Sequence, residues 1–387
     1  MRLRLVSVLL LVAVAAASAV AVAGATVPRE AQTLVRLASG ITKLRVKRPV
    51  AVVERPLDEV SRRRTVLDAA LYPPSARAHD AIVLHALGVA ATPAAAAAAV
   101  GARKPAAPFY DAATRRVVVP RTARPDRHAL AQATAVALLD QHFAVRRASS
   151  LRGDRDRLAA ARGATEGYAG LVAELVAPRR PPPAARGRLA RFLQLEERFA
   201  ATTGVRFAAN LRNLGGDRGV WTSLRTFPAS TEQLFHLDKF LERERPIPIV
   251  LPVDAGGMQL VSDDSWGELD VRALLATFGV GGIDRAASGW GGGRSAVYRG
   301  PGGETAVAIA LDWDTEADAA QWREIAGRYV AAAFATPRVT QCAVAFCWVT
   351  STRSAALEQV ATRAVLVVAP STEAAATIAA DLVPPTR

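Results

Sequence analysis

The sequence predicts a predominantly helical α+β protein. Alanine- and leucine-rich stretches of helical character fill much of the region from residue 67 to 245. From about residue 246 the pattern changes to strand pairs that alternate with helices. Of the 387 residues, 51% are hydrophobic and 22% are charged, which excludes a wholly disordered chain. We therefore expect a mostly helical part over residues 26–245 and an α+β part over residues 246–387.

The N-terminus has the pattern of an export signal. Arg2 and Arg4 precede an apolar run from Leu5 to about Ala23, and small residues follow it. A basic start, an apolar core and an A-x-A end are typical of a secretory signal peptide. The run is also long enough to serve as an uncleaved anchor. Residues 1–25 are thus a signal peptide or a membrane anchor, and we expect the protein to be extracytoplasmic, either secreted or N-terminally anchored.

The helical part begins, in this interpretation, with an extended basic lead-in over residues 27–60. Residues 67–100 are helix-prone, with breaks at Pro73-Pro74 and Pro93. A β-branched strand follows over residues 115–119. Further helices are predicted from a cap at Asp126 to about Phe143, and over 154–176, 186–201 and 230–241.

The C-terminal part alternates strands and helices. Its predicted elements are an extended segment at 247–253, a helix at 265–278, a hairpin of 296–299 with 306–313, a helix at 315–334, strands at 341–349 and 360–368, and a final helix capped by Ser371. Cys342 and Cys347 are the only cysteines, which excludes a disulfide-dense scaffold and a four-cysteine zinc module. A local disulfide and two buried thiols are both compatible with their spacing.

The net charge is +14, and 45 of the 49 basic residues are arginine. Many alanines accompany the arginines, which indicates a GC-rich genome before it indicates a binding surface. Basic character alone does not identify a partner, and the chain has no nucleic-acid-binding motif. A basic protein that binds polyanions of the cell envelope is one alternative that the charge leaves open.

The most informative segment is the helix that ends in Asp140-Gln141-His142-Phe143. Phe109-Tyr110-Asp111 precedes it and Glu166-Gly167-Tyr168-Ala169 follows it. In this order the segments resemble a family of exported bacterial zinc metallopeptidases with the motifs "FYDP", "HELTHALQDQHF" and "EGDA". The resemblance covers roughly residues 105–325 and continues through 230–236, 267–269, 289–292 and 313–318. It implies a zincin-like helical core with a C-terminal part of strand pairs and helices.

In that family two histidines one helical turn apart hold zinc, and the glutamate between them activates a water molecule. The matching positions here are Gln132, Ala133 and Val136. Only the third-ligand position, Glu166, keeps a competent residue. Valine has no donor atom and alanine cannot move a proton. We therefore expect no metal, no cofactor and no catalytic residue, in an exported, catalytically inactive metallopeptidase-like protein with a binding or structural role at the cell envelope.

Several alternatives stay open from the sequence. Glu166 either faces the former site or pairs with Arg162, four residues earlier. A hydrolase or peptidase with a rearranged metal site would combine Glu166 with His128 or His142. The other candidate cleft residues besides His142 are Glu232 and His236, whose segment we interpret as structural. The partner, a peptide or an anionic envelope component, and the oligomeric state are not determined by the sequence.

Overall fold

A computed structural model describes residues 27–102, 104–122, 124–336, 340–341 and 346–383. The predicted signal peptide or anchor at residues 1–25 and the cysteine at position 342 lie outside these ranges. Cys347 takes part in a disulfide. Within the described ranges, no helix combines the length and the apolar character that crossing a membrane requires.

The described residues form fourteen α-helices and eleven strands. The helices are α1 Val27–Thr42, α2 Leu57–Leu71, α3 Pro74–Ala86, α4 Pro93–Val100, α5 Arg127–Phe143, α6 Arg155–Val176, α7 Arg188–Phe199, α8 Val205–Arg225, α9 Glu232–Phe235, α10 Leu237–Glu242, α11 Glu268–Thr277, α12 Ile283–Ala287, α13 Glu316–Phe334 and α14 Thr372–Leu382. The strands are β1 Ala51–Arg55, β2 Phe109–Asp111, β3 Arg116–Pro120, β4 Asp254–Ala255, β5 Met258–Ser265, β6 Trp290–Arg299, β7 Thr305–Trp313, β8 Thr340–Gln341, β9 Phe346–Val349, β10 Ser354–Val360 and β11 Arg363–Ala369. A 3-10 helix at Val145–Leu151 precedes α6, and a π-helical turn at Ala200–Gly204 joins α7 to α8.

The N-terminal sheet has three strands in the order β1-β3-β2. Strands β1 and β3 run parallel, whereas β2 and β3 are antiparallel. Because side chains alternate along a strand, Val117 and Val119 of β3 point to one face, where they are buried in a cluster with Leu34 of α1 and Leu130 of α5. This packing fixes α5, which carries Gln132, Ala133 and Val136, against the sheet.

The C-terminal sheet is antiparallel, with the order β4-β5-β6-β7-β11-β10-β9-β8. Its two faces are buried separately. Val307 and Ile309 of β7 pack into one cluster with Trp322 of α13, whereas Ala308 packs into another with Ile378 of α14. The sheet is therefore covered by helices on both faces.

The first of these clusters also takes side chains from the N-terminal half of the chain. Leu84 of α3, Leu87 and Phe192 of α7 belong to the same buried cluster as Trp313 and Trp322. The helical part and the C-terminal sheet thus share one hydrophobic core. The predicted boundary at residue 245 stays a prediction.

The coarse fold class is confirmed: the chain is mixed, with 55% helix and 17% strand. Several predicted caps are present; the backbone N–H of Ala129, for example, donates to Asp126 Oδ1 at 2.9 Å. The predicted extended lead-in is wrong where α1 and the start of α2 lie, although β1 within it is extended. Leu34, Val35 and Ala38 form a buried stripe at helical spacing along α1. The prediction also missed strands β5 and β10.

Candidate functional site

Helices α5 and α6 pack together and bring Gln132 close to Glu166, two of the positions that the resemblance implies as former ligands. The side-chain Nε2 of Gln132 donates to the backbone carbonyl of Glu166 at 3.4 Å. Ala133 is buried, and Val136 on the next turn is half-buried. The alignment therefore pairs positions that are neighbours in space, although they lie more than thirty residues apart in the chain.

These positions offer little that could bind a metal ion. Ala133 packs among apolar side chains, including Leu130 and Ala137. The Glu166 carboxylate accepts a hydrogen bond from Arg162 Nε at 3.0 Å, and both side chains are partly exposed. Of the two alternatives for Glu166, the pair within the helix is therefore formed. Such a pair stabilises a helix by only a few tenths of a kcal/mol.

Charged side chains from neighbouring elements surround Glu166. Lys104 Nζ lies 3.2 Å from Glu197 Oε1 of α7 and 3.6 Å from Asp68 Oδ2 of α2. Burial lowers the pKa of Arg64, while the carboxylates of Glu166, Asp68 and Glu197 oppose that effect. We call these residues, Arg64, Asp68, Lys104, Arg162, Glu166 and Glu197, the α6 charge cluster. Its three cations and three carboxylates balance one another.

His128 and His142, which a rearranged metal site would combine with Glu166, bind other groups. His128 Nδ1 donates to the carbonyl of Ala177 at 2.9 Å, and its Nε2 lies 3.8 Å from Glu174 Oε1. Glu174 follows Glu166 by eight residues, which is ~12 Å along a helix. His142 Nε2 donates to the carbonyl of Arg45 at 2.7 Å. Neither imidazole is brought to Glu166.

Glu232 belongs to a second cluster, on the side of the C-terminal sheet. Lys239 Nζ lies 2.7 Å from Glu232 Oε1, 2.7 Å from Glu244 Oε1 and 2.5 Å from Asp314 Oδ2. We call these four residues the Lys239 cluster. Among the described residues, its carboxylates form the one set of three potential metal ligands whose oxygens lie within 4.8 Å of one another. The lysine ammonium already occupies the centre of this set.

The electrostatics of the Lys239 cluster follow from burial. Burial raises the pKa of Glu232 to about 9, and the carboxylates of Glu268 and Asp314 add to this, against the opposing Lys239 ammonium. Burial favours the neutral form of Lys239, but its contacts with the three carboxylates outweigh that effect and raise its pKa. Next to this cluster, His236 Nε2 lies 3.0 Å from Glu268 Oε1.

Residues from three motifs of the resemblance lie in or next to the Lys239 cluster. Glu232 and His236 come from residues 230–236, Glu268 from residues 267–269, and Asp314 from residues 313–318. The sequence interpretation did not single out Lys239 or Glu244. Neither lies in a motif, and their contact depends on tertiary packing that no local pattern reports.

The sequence interpretation also missed a buried ionic network around Arg155 at the start of α6. Arg155 Nη1 lies 2.8 Å from Asp270 Oδ1 and Nε lies 3.7 Å from Asp80 Oδ2, while Nη2 contacts Glu196. The adjacent Asp156 accepts hydrogen bonds from the Thr231 hydroxyl at 2.5 Å and from its backbone N–H. These contacts connect α6 to α3, α7 and α11.

Burial raises the pKa of an acid in this network and of the adjacent Asp156. It raises the pKa of Glu196 to about 8, although the Arg155 guanidinium opposes the shift. It also raises the pKa of Asp156 to about 8, against the hydrogen bonds from Thr231. We call Arg155, Asp80, Glu196 and Asp270 the Arg155 network.

Part of the chain is similar to a known sequence domain. Residues 258–379, from β5 into α14, match the domain of unknown function DUF8575. No curated protein and no solved structure matches the chain. The matched region includes Glu268 and Asp314 but neither α5 nor α6. The relation of the helical part to metallopeptidases therefore stays a prediction.

Proposed function

We propose that this protein is an exported, non-catalytic relative of zinc metallopeptidases that binds a partner at the cell envelope. One observation carries the proposal: Gln132, Ala133 and Val136 occupy the ligand and base positions of a helix that meets Glu166 on the neighbouring helix. The contact between Gln132 and the Glu166 carbonyl supports the alignment on which those positions rest.

The chemistry of zinc hydrolysis explains why we propose no turnover. A catalytic zinc site needs three protein ligands and an open position for water. The general base must reach that water. Here one carboxylate remains, and Arg162 holds it. Without the metal-bound water the barrier rises by several kcal/mol, enough to abolish useful activity.

The ligand class that we propose for the α6 charge cluster is an extended peptide. The cluster alternates guanidinium or ammonium groups with carboxylates, as Arg64, Lys104 and Glu197 illustrate. Such a surface can bind peptide carbonyls, amides and charged side chains of both signs. A former peptidase cleft that lacks the catalytic water would hold a peptide without cutting it.

Restoring the lost residues tests the alignment and the loss of activity together. We expect the triple variant Gln132→His, Ala133→Glu, Val136→His to bind one zinc ion per chain. It should also hydrolyse casein above the wild-type level, because the two imidazoles would join Glu166 as a third ligand. Zinc is measured by elemental analysis after dialysis, and proteolysis by release of labelled fragments.

The matched control is the same triple variant with Glu166→Gln added, in which zinc and proteolysis should both fall. Circular dichroism establishes that each variant is folded. A folded triple variant that holds no zinc would show that the alignment is wrong. Stoichiometric zinc in the wild-type protein, with metal-dependent proteolysis that Glu166→Ala removes, would overturn the proposal itself.

A further inference from the structure

An exposed basic segment lies between α1 and β1, against the C-terminal end of α5. Residues 43–48 place four exposed cations within six positions: Lys43, Arg45, Lys47 and Arg48. Arg115, in the turn between β2 and β3, is also exposed. The charges of Arg48 and Arg115 both oppose the rise in the pKa of Tyr110 that burial and Asp140 cause, which places the two arginines near the same side chain. We call Lys43, Arg45, Lys47, Arg48 and Arg115 the α5-end patch.

Gln141, from the motif Asp140-Gln141-His142-Phe143, holds the backbone of the basic segment. Its Oε1 accepts hydrogen bonds from the backbone N–H groups of Lys47 at 2.9 Å and Arg48 at 3.2 Å. Its Nε2 donates to the carbonyl of Arg48 at 3.0 Å. His142 Nε2 donates to the carbonyl of Arg45 at 2.7 Å. The end of α5 therefore fixes the path of the basic segment, a role that the sequence interpretation did not assign to this motif.

Two buried apolar side chains hold the same segment from inside. Leu44 packs with Leu138 and Leu139 of α5. Val50, just after the segment, packs with Val117 of β3. The charged residues between these two anchors are exposed. Because the segment is already ordered, a ligand that binds it loses little free energy to ordering the chain.

The charges of the α5-end patch are not neutralised within the described residues. None of its five side chains forms an ion pair with a carboxylate there. Lys47 Nζ donates to the carbonyl of Gln141 at 3.0 Å, which leaves its charge uncompensated. Asp140 is buried and is bound instead by Arg146 Nη1 at 3.5 Å and by the Tyr110 hydroxyl at 2.8 Å. The patch therefore presents a surplus of positive charge to solvent.

The surroundings of these charges narrow the class of ligand. The backbone N–H groups of Lys47 and Arg48 are bonded to Gln141, so they cannot pair with an added peptide strand. Residues 43–48 contain no aromatic side chain on which a nucleobase could stack. Val46 is their one exposed apolar side chain, too small a surface for insertion into a bilayer. Recognition must therefore come from the charged side chains.

We propose that the α5-end patch binds an anionic polymer of the cell envelope that carries a phosphodiester in each backbone repeat. Arginine donates paired hydrogen bonds to phosphate oxygens, and lysine contributes a point charge. A polymer with charge in its backbone presents every phosphate to the patch, whereas an extended acidic peptide turns alternate carboxylates away. The inference names an envelope partner and thus rests on the envelope location in the proposed function, although its site is separate from Glu166.

Salt-dependent binding of a base-free phosphodiester tests the inference with the full chain. The probe is a fluorescently labelled oligomer of about ten glycerol phosphate units, and fluorescence anisotropy gives its Kd between 0.05 and 0.2 M NaCl. Counterion release makes log Kd rise with log[NaCl] by about 0.7 per phosphate contact with a single-stranded polyanion. We therefore expect a slope of about 3.5 for five contacts. No binding, or a slope below about 1, would overturn the inference.

Paired arginine substitutions locate the site. Arg45→Gln with Arg48→Gln should lower the slope to about 2 and raise the Kd at least about tenfold, because two cations are lost. Neither side chain makes a hydrogen bond within the described residues. Arg179→Gln with Arg180→Gln makes the same charge change in another exposed basic segment and should alter both values little. Equal losses in the two pairs would overturn the patch in favour of general basic attraction.

A change at Gln141 separates an ordered site from bare charge. Gln141→Leu keeps the five cations but removes the hydrogen bonds that order their backbone, so the slope should stay and the Kd should rise about three- to tenfold. Gln194→Leu is the matched control. Gln194 holds the other basic segment in the same way, since it accepts from the N–H of Ala185 at 2.7 Å and donates to the carbonyl of Pro183 at 2.8 Å. It should leave the Kd unchanged. Circular dichroism establishes that each variant is folded, and a wild-type Kd in folded Gln141→Leu would refute the ordered site.

Competition with other polyanions tests the class of ligand. At equal total charge, polyglutamate should compete about fivefold less well than the unlabelled glycerol phosphate oligomer, because half of its carboxylates face away. Oligothymidylate should compete no better than that oligomer. Equal or better competition by polyglutamate would identify an acidic-peptide site, and better competition by oligothymidylate a nucleic-acid site; either result would refute the assignment. The zinc measurements above do not involve this patch, so either proposal can fail while the other stands.

Discussion

His79 of α3 lies between two serine hydroxyls of the C-terminal sheet. Its Nδ1 is 2.9 Å from Ser262 Oγ on β5, and its Nε2 is 2.8 Å from Ser295 Oγ on β6. The imidazole is buried, and burial lowers its pKa from 6.5 to about 4. The neutral ring therefore connects one helix to two strands. Protonation would place a charge inside the protein, where burial and the charges of Arg155 and Arg294 outweigh the favourable effect of Asp80.

We expect His79 to make the protein less stable in acid. The folded-state pKa lies below the unfolded value, so between about pH 6.5 and 4 the unfolded chain gains a proton that the folded chain does not. The stability that the neutral ring contributes is present above this window and is lost within it, by about 3 kcal/mol. Urea unfolding of the wild type and of His79→Gln at several pH values measures the difference in slope.

The control is His142→Gln, at the end of α5. It retains His79, so its stability should keep the acid loss that His79→Gln lacks. Parallel pH profiles for the wild type and His79→Gln would contradict the assignment of this loss to His79.

The sequence predicted the conformation around Glu232 and His236 only in part. Glu232 and His236 were expected on one face of a continuous helix over 230–241. The helix instead breaks at His236, which has extended backbone angles between α9 and α10. The break lets His236 contact Glu268 while Glu232 contacts Lys239. A four-residue spacing predicts a common face only where the helix is continuous.

At the scale of elements, α6 approaches the π-helical turn at Ala200–Gly204 without intervening side chains. A Cβ atom added to Gly167 would lie 2.6 Å from Gly204 Cα, and still closer to its carbonyl carbon. Backbone atoms cannot move aside as a flexible side chain can. The glycine of the segment Glu166-Gly167-Tyr168-Ala169 is therefore required by helix packing, whatever the role of Glu166.

Gly167→Ala should destabilise the protein by about 1–3 kcal/mol, because the two elements must separate. Gly40→Ala in α1 is the matched control: nothing lies within 4 Å of its added Cβ. That substitution should leave stability unchanged or raise it by up to ~1 kcal/mol, since alanine favours a helix. Denaturant unfolding compares the two variants. Equal effects would mean that α6 and the π-helical turn are not in close contact.

The elements that the sequence predicted well have local signals. Helices α5, α13 and α14 begin at side-chain caps, and the hairpin of β6 and β7 turns at Pro301-Gly302-Gly303. Strand β5 was missed because its second half, Ser262–Ser265, is polar and follows a register shift. Its place in the sheet depends on pairing with β6. That pairing cannot be read from the residues next to β5 in the sequence.

At the scale of the whole molecule, the Arg155 network and the shared core join the helical part to the C-terminal sheet. Asp80, Arg155, Glu196 and Asp270 come from four separate helices, yet their charged groups meet in the interior. Sequence patterns report which residues share a face of one helix, but not which helices will meet. The motif order pointed to a contact between Gln132 on α5 and Glu166 on α6, which the structure contains, whereas no motif pointed to this network.

Arg155→Met should be strongly destabilising, because it leaves the buried Asp80 and Asp270 and the half-buried Glu196 without their shared counter-charge. Removing one partner of a buried ion pair costs about 3–5 kcal/mol. Arg157→Met, at an exposed position on the same helical turn, is the control and should cost little. Denaturant unfolding followed by circular dichroism and by tryptophan fluorescence should give one coincident transition for the wild type, since both halves contribute to one core.

The pH dependence of the stability of Arg155→Met is a more stringent test of the Arg155 network. Burial already raises the pKa of Glu196 to about 8 in the presence of Arg155. A raised folded-state pKa means that stability is retained below the unfolded value and is lost as the pH rises through about 8. Without the guanidinium that opposes this shift, the carboxylates must hold protons more tightly, so the penalty of Arg155→Met should grow from pH 6 to pH 9. A penalty that is the same at both values would show that the carboxylates are hydrated or paired elsewhere, and that the network does not join the two parts of the molecule.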